Sequence, residues 1–251
     1  MSLVNDLLAA APDGRIISVT IGLHWTAVVA EVESGRRCGL AATLRGSGGH
    51  DGPDVPGAGQ LEALSGRELA ALARSGGPVQ RSLGFAALNA LLPPQPDAWF
   101  DANAEAVIAA CGAGRTVALI GHFPFVDRLR SRVGALHVLE LEPRGDDLPA
   151  EAAPAVLPGA EVVAITGMTL LNDTLEGLLA LCSPAATVLL LGPSTPLHPI
   201  LFGYGVDLLS GAVVEDIDAV VRHVRQGANF RQVRRAGVRL VTMAATAGAA
   251  K

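Results

Sequence analysis

Hydrophobic residues fall into two different rhythms along the chain. Near the start, MSLVNDLLAAAPDGR reads as a short amphipathic helix, and the following RIISVTIGLHWTAVVAEV and RRCGLAATL give about three β-rich runs. The breaks fall at Gly22 to His24 and at Ser34 to Gly35, so an antiparallel meander is expected. The stretch from Gly46 to Gly59, rich in Gly, Pro and Asp, predicts a mobile loop. Two helices should follow. Ser65 is placed to cap GRELAALARS, and PVQRSLGFAALNALL opens on a proline suited to a first helical turn and ends at PPQP. Strands before helices make residues 1–96 a small α+β domain.

From about Trp99 helices and strands alternate, and the strands become continuous apolar runs suited to a parallel sheet covered on both faces. The expected strands are TVALIG, ALHVLELEP, EVVAITG, TVLLLG and VDLLSGAVV; the clearest helices are NDTLEGLLALC and EDIDAVVRHVRQG. Residues 97–251 therefore read as an α/β, Rossmann-like domain, with TMAATAGAAK as a frayed tail.

Composition narrows the setting. Half of the 251 residues are hydrophobic and 17% are charged, enough apolar material for a packed core. With 19 basic and 24 acidic residues the net charge is −5 and no Lys/Arg run forms a polybasic patch, so nucleic acid is not an expected partner. No apolar run reaches the roughly 20 residues of a membrane span, and the N-terminus lacks a basic segment of the kind that opens a signal peptide. Cys38, Cys111 and Cys182 are unpaired in spacing and read as buried thiols. These features together predict a cytoplasmic protein, with homo-oligomerisation left open.

Ligands of parallel sheets bind beyond the carboxyl ends of the strands, where loop amides and helix N-termini are exposed. Those ends carry Gly121-His122-Phe123-Pro124, Glu140, Thr166-Gly167-Met168-Thr169 and Gly192-Pro193-Ser194-Thr195-Pro196. Glu140 is at the spacing from Gly121 at which an acid holds a ribose hydroxyl, or else it is an exposed acid at a strand end. The GHFPF turn lacks GxGxxG, so NAD or FAD binding is not expected. In the GPSTPLHP turn, prolines stiffen a loop in which Gly192, Ser194 and Thr195 offer polar contacts, or simply redirect the chain. Asn172 or Thr169 is a candidate helix cap. The six histidines show no HxH, HExxH or paired Cys/His spacing, but His122 and His198 both follow strands on the ligand edge and are the candidate metal ligands. His137 reads as a satisfied strand histidine and His50 as projecting from the solvated loop. No GxSxG elbow, P-loop or EF-hand loop is present.

The run ITGMTLLNDTLEGLLALC, followed by LLGPSTPLHPILFGYGVDLLSGAVVED, resembles the DUF364 family, a family of unknown function described by heavy-metal chelation. SLGFAALNALL and GHFPF are similar to that family's pattern as well. The resemblance implies an enolase-N-terminal-like domain joined to a Rossmann-like domain, with the functional site in the cleft between them. It also implies chelation or handling of a transition or heavy metal, and assigns Asn89, His122, Glu140, Thr166, Asn172, Thr174, Ser194, Thr195 and Asp216 to its motifs. Three functions stay open at this point. The site holds a metal, a metal complex or a small molecule; or the protein is an enzyme acting on a nucleotide-like or S-adenosylmethionine-like ligand; or it is a noncatalytic binding module.

Overall fold

The computed structural model describes residues 2–46 and 55–245. His50, most of the glycine-rich loop and the last six residues lie outside that range. Helix α1 (Leu3–Ala10) precedes an antiparallel meander of β1 (Arg15–Ile21), β2 (Trp25–Val32) and β3 (Gly35–Ala42). Helices α2 (Gly66–Ala71) and α3 (Pro78–Leu91) follow. Ser65 caps α2 as its sequence predicts: its hydroxyl accepts from the Glu68 amide at 3.2 Å, and the Glu68 carboxylate accepts from the Ser65 amide at 2.8 Å. Pro78 occupies the first turn of α3, where a missing N–H costs nothing.

The rest of the chain forms β4 (Trp99–Phe100), α4 (Ala104–Cys111), β5 (Thr116–Ile120), α5 (Val126–Arg130), β6 (Ala135–Glu140) and β7 (Leu148–Pro149). After these come α6 (Ala153–Val156), β8 (Val162–Thr166), α7 (Met168–Leu171), α8 (Leu175–Leu181), β9 (Thr187–Leu191), β10 (Leu208–Val214), α9 (Ile217–Arg225), α10 (Phe230–Arg235) and β11 (Val238–Ala244). Eight of these strands make one sheet in the order β4-β11-β10-β9-β8-β5-β6-β7. Pairs from β7 through β10 are parallel, and β4 runs antiparallel to β11. The chain winds outward from β5 through β6 and β7, then returns to the other side of β5 for β8 and β9. That reversal between β5 and β8 is the place where an open parallel sheet leaves a crevice at its carboxyl edge.

Sequence pattern located β5, β6, β8, β9 and β10 of this sheet but not β4, β7 or β11. The segment taken for a frayed tail is a strand as far as Ala244: Thr242 and Met243 pair with Phe100 and Trp99, and Thr242 is fully buried. The expected helix over NDTLEGLLALC begins only at Leu175, because Asp173 adopts φ 64°, a left-handed backbone that separates α7 from α8. His137 is a second correction: it lies on β6 but is exposed.

The chain divides into two compact units, each discontinuous in sequence. The first comprises the chain up to Gln95 with Pro193–His198 and Gly211–Leu240; the second comprises Pro96–Gly192, Pro199–Ser210 and the chain from Val241. Pattern alone sets a single boundary after residue 96. Helices α9 and α10 join the first unit because Val220, Val224 and Val233 bury against Ala27 and Leu40 of the meander, with Trp25 and Phe230 in tilted ring contact at 5.3 Å. In the second unit, Ile108, Leu129 and Val126 cover the buried β5, β8 and β9 residues Val117, Leu119, Val162, Ala164, Leu189 and Leu191.

Candidate functional site

A pocket of about 290 Å³ opens in the second unit where β5, β6 and β8 end. Because these strands are parallel and in register, Ile120 pairs with Leu139 and with Ile165, and the residues that follow all emerge on one edge. The chain turns away from β5 at Gly121, whose φ of +103° disfavours a side chain, and an added Cβ would lie 3.2 Å from Thr166 Cβ. His122 is thereby set at the pocket wall.

Two carboxylates hold this turn. Glu140, the last residue of β6, accepts the His122 amide at 2.7 Å through Oε2 and the Leu141 amide at 2.8 Å through Oε1. Asp147 Oδ2 lies 2.7 Å from His122 Nδ1 and accepts the Arg144 amide at 3.1 Å. The Asp147 side chain is only 1% exposed, against 32% for His122. With its proton on Nδ1 the imidazole donates to Asp147, and in that neutral tautomer Nε2 is the nitrogen that carries the lone pair. Asp147 Oδ1 is buried and has no hydrogen-bond partner among the described residues.

Opposite this wall, the turn after β8 is tied to itself. Thr169 Oγ1 donates to the Thr166 carbonyl at 2.7 Å, and Thr174 Oγ1 donates to Asn172 Oδ1 at 2.7 Å. Neither Thr169 nor Asn172 caps a helix by its side chain, contrary to expectation; Gly167 precedes α7 and Thr174 precedes α8, both without side-chain capping. The Asn172 Nδ2 group is left as a donor at the pocket wall. Ile120, Phe123, Leu139, Leu141, Met168 and Leu178 supply the apolar lining. Leu141 and Met168 are 70% and 41% exposed, so the pocket is bordered by apolar side chains that the fold itself does not cover.

Of the residues singled out from sequence, His122, Glu140, Thr166, Asn172 and Thr174 line this pocket. Asn89, Ser194, Thr195, His198 and Asp216 belong to the first unit. There Asn89 Nδ2 donates to the Leu40 carbonyl at 2.9 Å and the Ser194 carbonyl at 3.3 Å, while Ser194 Oγ accepts the Ala42 amide at 2.9 Å. Gly192 sits at φ +111°, the turn that begins this loop. Asn89 Oδ1 and Thr195 Oγ1 are buried without partners among the described residues. His198 is 9% exposed, and burial holds its imidazole below the usual range. Asp216 caps α9, accepting the Ala219 amide at 2.9 Å. Sequence reasoning missed Asp147, for which the RGDD run offered no spacing signal, and Phe123 and Met168, which sit in the quoted turns but were not singled out.

A metal finds few donors here. Among the described residues no group of three or more His, Cys, Asp and Glu side chains is disposed to hold an ion. The pocket offers one imidazole nitrogen and one carboxylate already accepting two amides, and no thiolate, the ligand that soft metals favour. The three cysteines are free and, as whole residues, half-buried where burial was expected; the Cys38 thiol itself is desolvated, which pushes it up to about 12. This donor set does not fit a bare heavy-metal ion.

Comparison with known proteins agrees with the fold and names a family. The DUF364 profile, described as "Putative heavy-metal chelation", matches residues 104–243, more than half of the chain. The chain belongs to the DUF364 family. A second profile, DUF4213, carries the same description and matches residues 4–92. An uncharacterized protein of Methanocaldococcus jannaschii, MJ0500, is 30% identical over 236 residues, covering 88% of this chain and 87% of that protein. Two crystal structures of DUF364 proteins of unknown function superpose along nearly the whole length. The one from Desulfitobacterium hafniense has a TM-score of 0.82 at 25% identity, and the one from Pyrococcus horikoshii 0.81 at 21%; each comparison covers 97% of this chain and 98% of the other. The DUF364 profile spans every strand and turn that builds the pocket. No helix among the described residues is long and apolar enough to cross a membrane.

Proposed function

We propose that this DUF364 protein binds a small organic molecule, free or as a metal complex, in the pocket at the ends of β5, β6 and β8. Metal handling then operates through the organic part of the complex, without a cage of protein donors. The observation that carries this reading is the lining itself: an apolar rim at Leu141 and Met168 around a few polar groups, His122, Glu140 and Asn172, with no three-ligand cluster among the described residues. Apolar walls with sparse polar groups suit an organic ligand, whereas a bare ion needs a full set of oxygen, nitrogen or sulfur donors.

Strand order favours a second reading. Glu140 ends the strand next to β5, the position at which an acid meets a ribose in sheets of this winding, so a nucleoside-like ligand is the alternative organic occupant. Extraction and mass analysis of the small molecules that copurify with wild type and with Ala150→Phe tests both readings, the mass and metal content of the released species telling a nucleoside from a metal complex. Ala150 lines the pocket, and a phenyl ring at this position would take up part of its volume. One organic species should be released by wild type at near-equal molar ratio and be absent from the variant. Equal retention by both proteins would place the ligand elsewhere.

A further inference from the structure

The pairing of His122 with a buried carboxylate does more than shape a wall. Nothing in ligand binding alone requires Asp147, a residue at the end of a loop, to be almost fully buried with one oxygen on the imidazole and the other unpartnered among the described residues. Burying a carboxylate with so few donors is costly, and such arrangements recur where a ring nitrogen must be oriented for chemistry. The backbone on each side is fixed as well, by the Glu140 contact to the His122 amide and by the Arg144 amide on Asp147.

We infer that His122 is a general base toward the pocket's ligand and that Asp147 is its positioning residue. This deepens the proposed binding function and rests on it. In the step, the ligand's O–H or N–H bond breaks and its electron pair stays on the ligand. The proton bonds to the His122 Nε2 lone pair, giving an imidazolium whose Nδ1–H remains on Asp147 and whose charge faces that carboxylate. Return of the proton to the anion or to a later intermediate regenerates the neutral ring. No oxidant, reductant or further reactant is required. An imidazole removes protons readily only from moderately acidic groups, so the substrate class is a conjugated organic molecule bearing an ionisable O–H or N–H. The apolar faces of Phe123, Met168 and Leu141 suit its ring system, and Asn172 Nδ2 can donate to the oxygen or nitrogen on which negative charge develops.

Two measurements on the ligand-free full-length protein test this without knowledge of the ligand. Long-range proton–nitrogen NMR, with the ring assigned by loss of signal in His122→Gln, should show His122 protonated on Nδ1 and bare on Nε2. Diethyl pyrocarbonate, which is attacked by an unprotonated ring nitrogen, should modify His122 faster than the exposed His24, as read by peptide mass spectrometry. Asp147→Asn should slow modification of His122 severalfold while leaving His24 unchanged. A His122 proton on Nε2 in wild type, or a modification rate no higher than that of His24, overturns the inference. So does an Asp147→Asn protein that folds and reacts at the wild-type rate. Should Asp147→Asn not fold, the two wild-type measurements decide. Absence of any copurifying or pocket-dependent ligand would instead count against the binding function, a separate result.

Discussion

Thr242 shows how much a single hydroxyl holds in this fold. It is fully buried, donates to the Ala102 carbonyl at 2.9 Å and lies 2.7 Å from Ser210 Oγ, which therefore donates to it. Thr242→Val keeps the shape but strands both Ser210 and the carbonyl. The expected loss is about 1–3 kcal/mol, seen as a lower urea midpoint at unchanged slope. Nothing in TMAATAGAAK announces this role, because small residues at a chain end give no periodic signal; only the neighbours β10 and β4 make the segment a strand. The candidate site divides in the same way. His122 and Glu140 were legible because glycine turns and strand ends announce the ligand edge of a parallel sheet. Asp147 was not, since it stands just ahead of the two-residue strand β7, 25 residues beyond His122, and no local spacing connects them.

At the scale of elements, the meander and its helices are held by close approach. A Cβ added to Gly39 on β3 would lie 2.1 Å from the Ala86 carbonyl oxygen and 2.3 Å from the Ala90 amide, both on α3. Helix and strand therefore touch backbone to backbone, and Gly39→Ala forces them apart. We expect about 3 kcal/mol of destabilisation or more, measured by chemical denaturation. Ser65→Ala, which removes one half of the capping box on α2, should cost about 1 kcal/mol in the same assay. The cap was legible because Ser65 and Glu68 carry its full signature in four residues. The glycine was not, since the need for it arises from α3, a helix some forty residues downstream. Helix α8 makes the complementary point: apolar periodicity ran through Asp173, while the positive φ there broke the helix.

For the molecule as a whole, acid should be destabilising through His198. Burial lowers its folded-state pKa beneath the unfolded value of roughly 6.5, so the unfolded chain binds the proton more readily than the native one. The contribution is fully present above the unfolded pKa and is lost as pH falls below it toward the folded pKa. Denaturation midpoints taken between pH 8 and pH 5 should therefore fall more steeply for wild type than for His198→Asn; parallel curves would assign the acid sensitivity to other groups. The broad α/β architecture was legible because apolar runs and turn residues change rhythm near Trp99, yet the division into units was not. Segments 211–240 lie late in the sequence but bury Val220, Val224 and Val233 with the first meander, a long-range choice that local pattern does not encode.

What occupies the pocket of the second unit decides what this protein does. The most direct measurement is native mass spectrometry with elemental analysis on untagged protein purified without chelator. An organic mass lost on denaturation is expected, with any metal present only in company with it. Near-stoichiometric metal bound without an organic partner would contradict it.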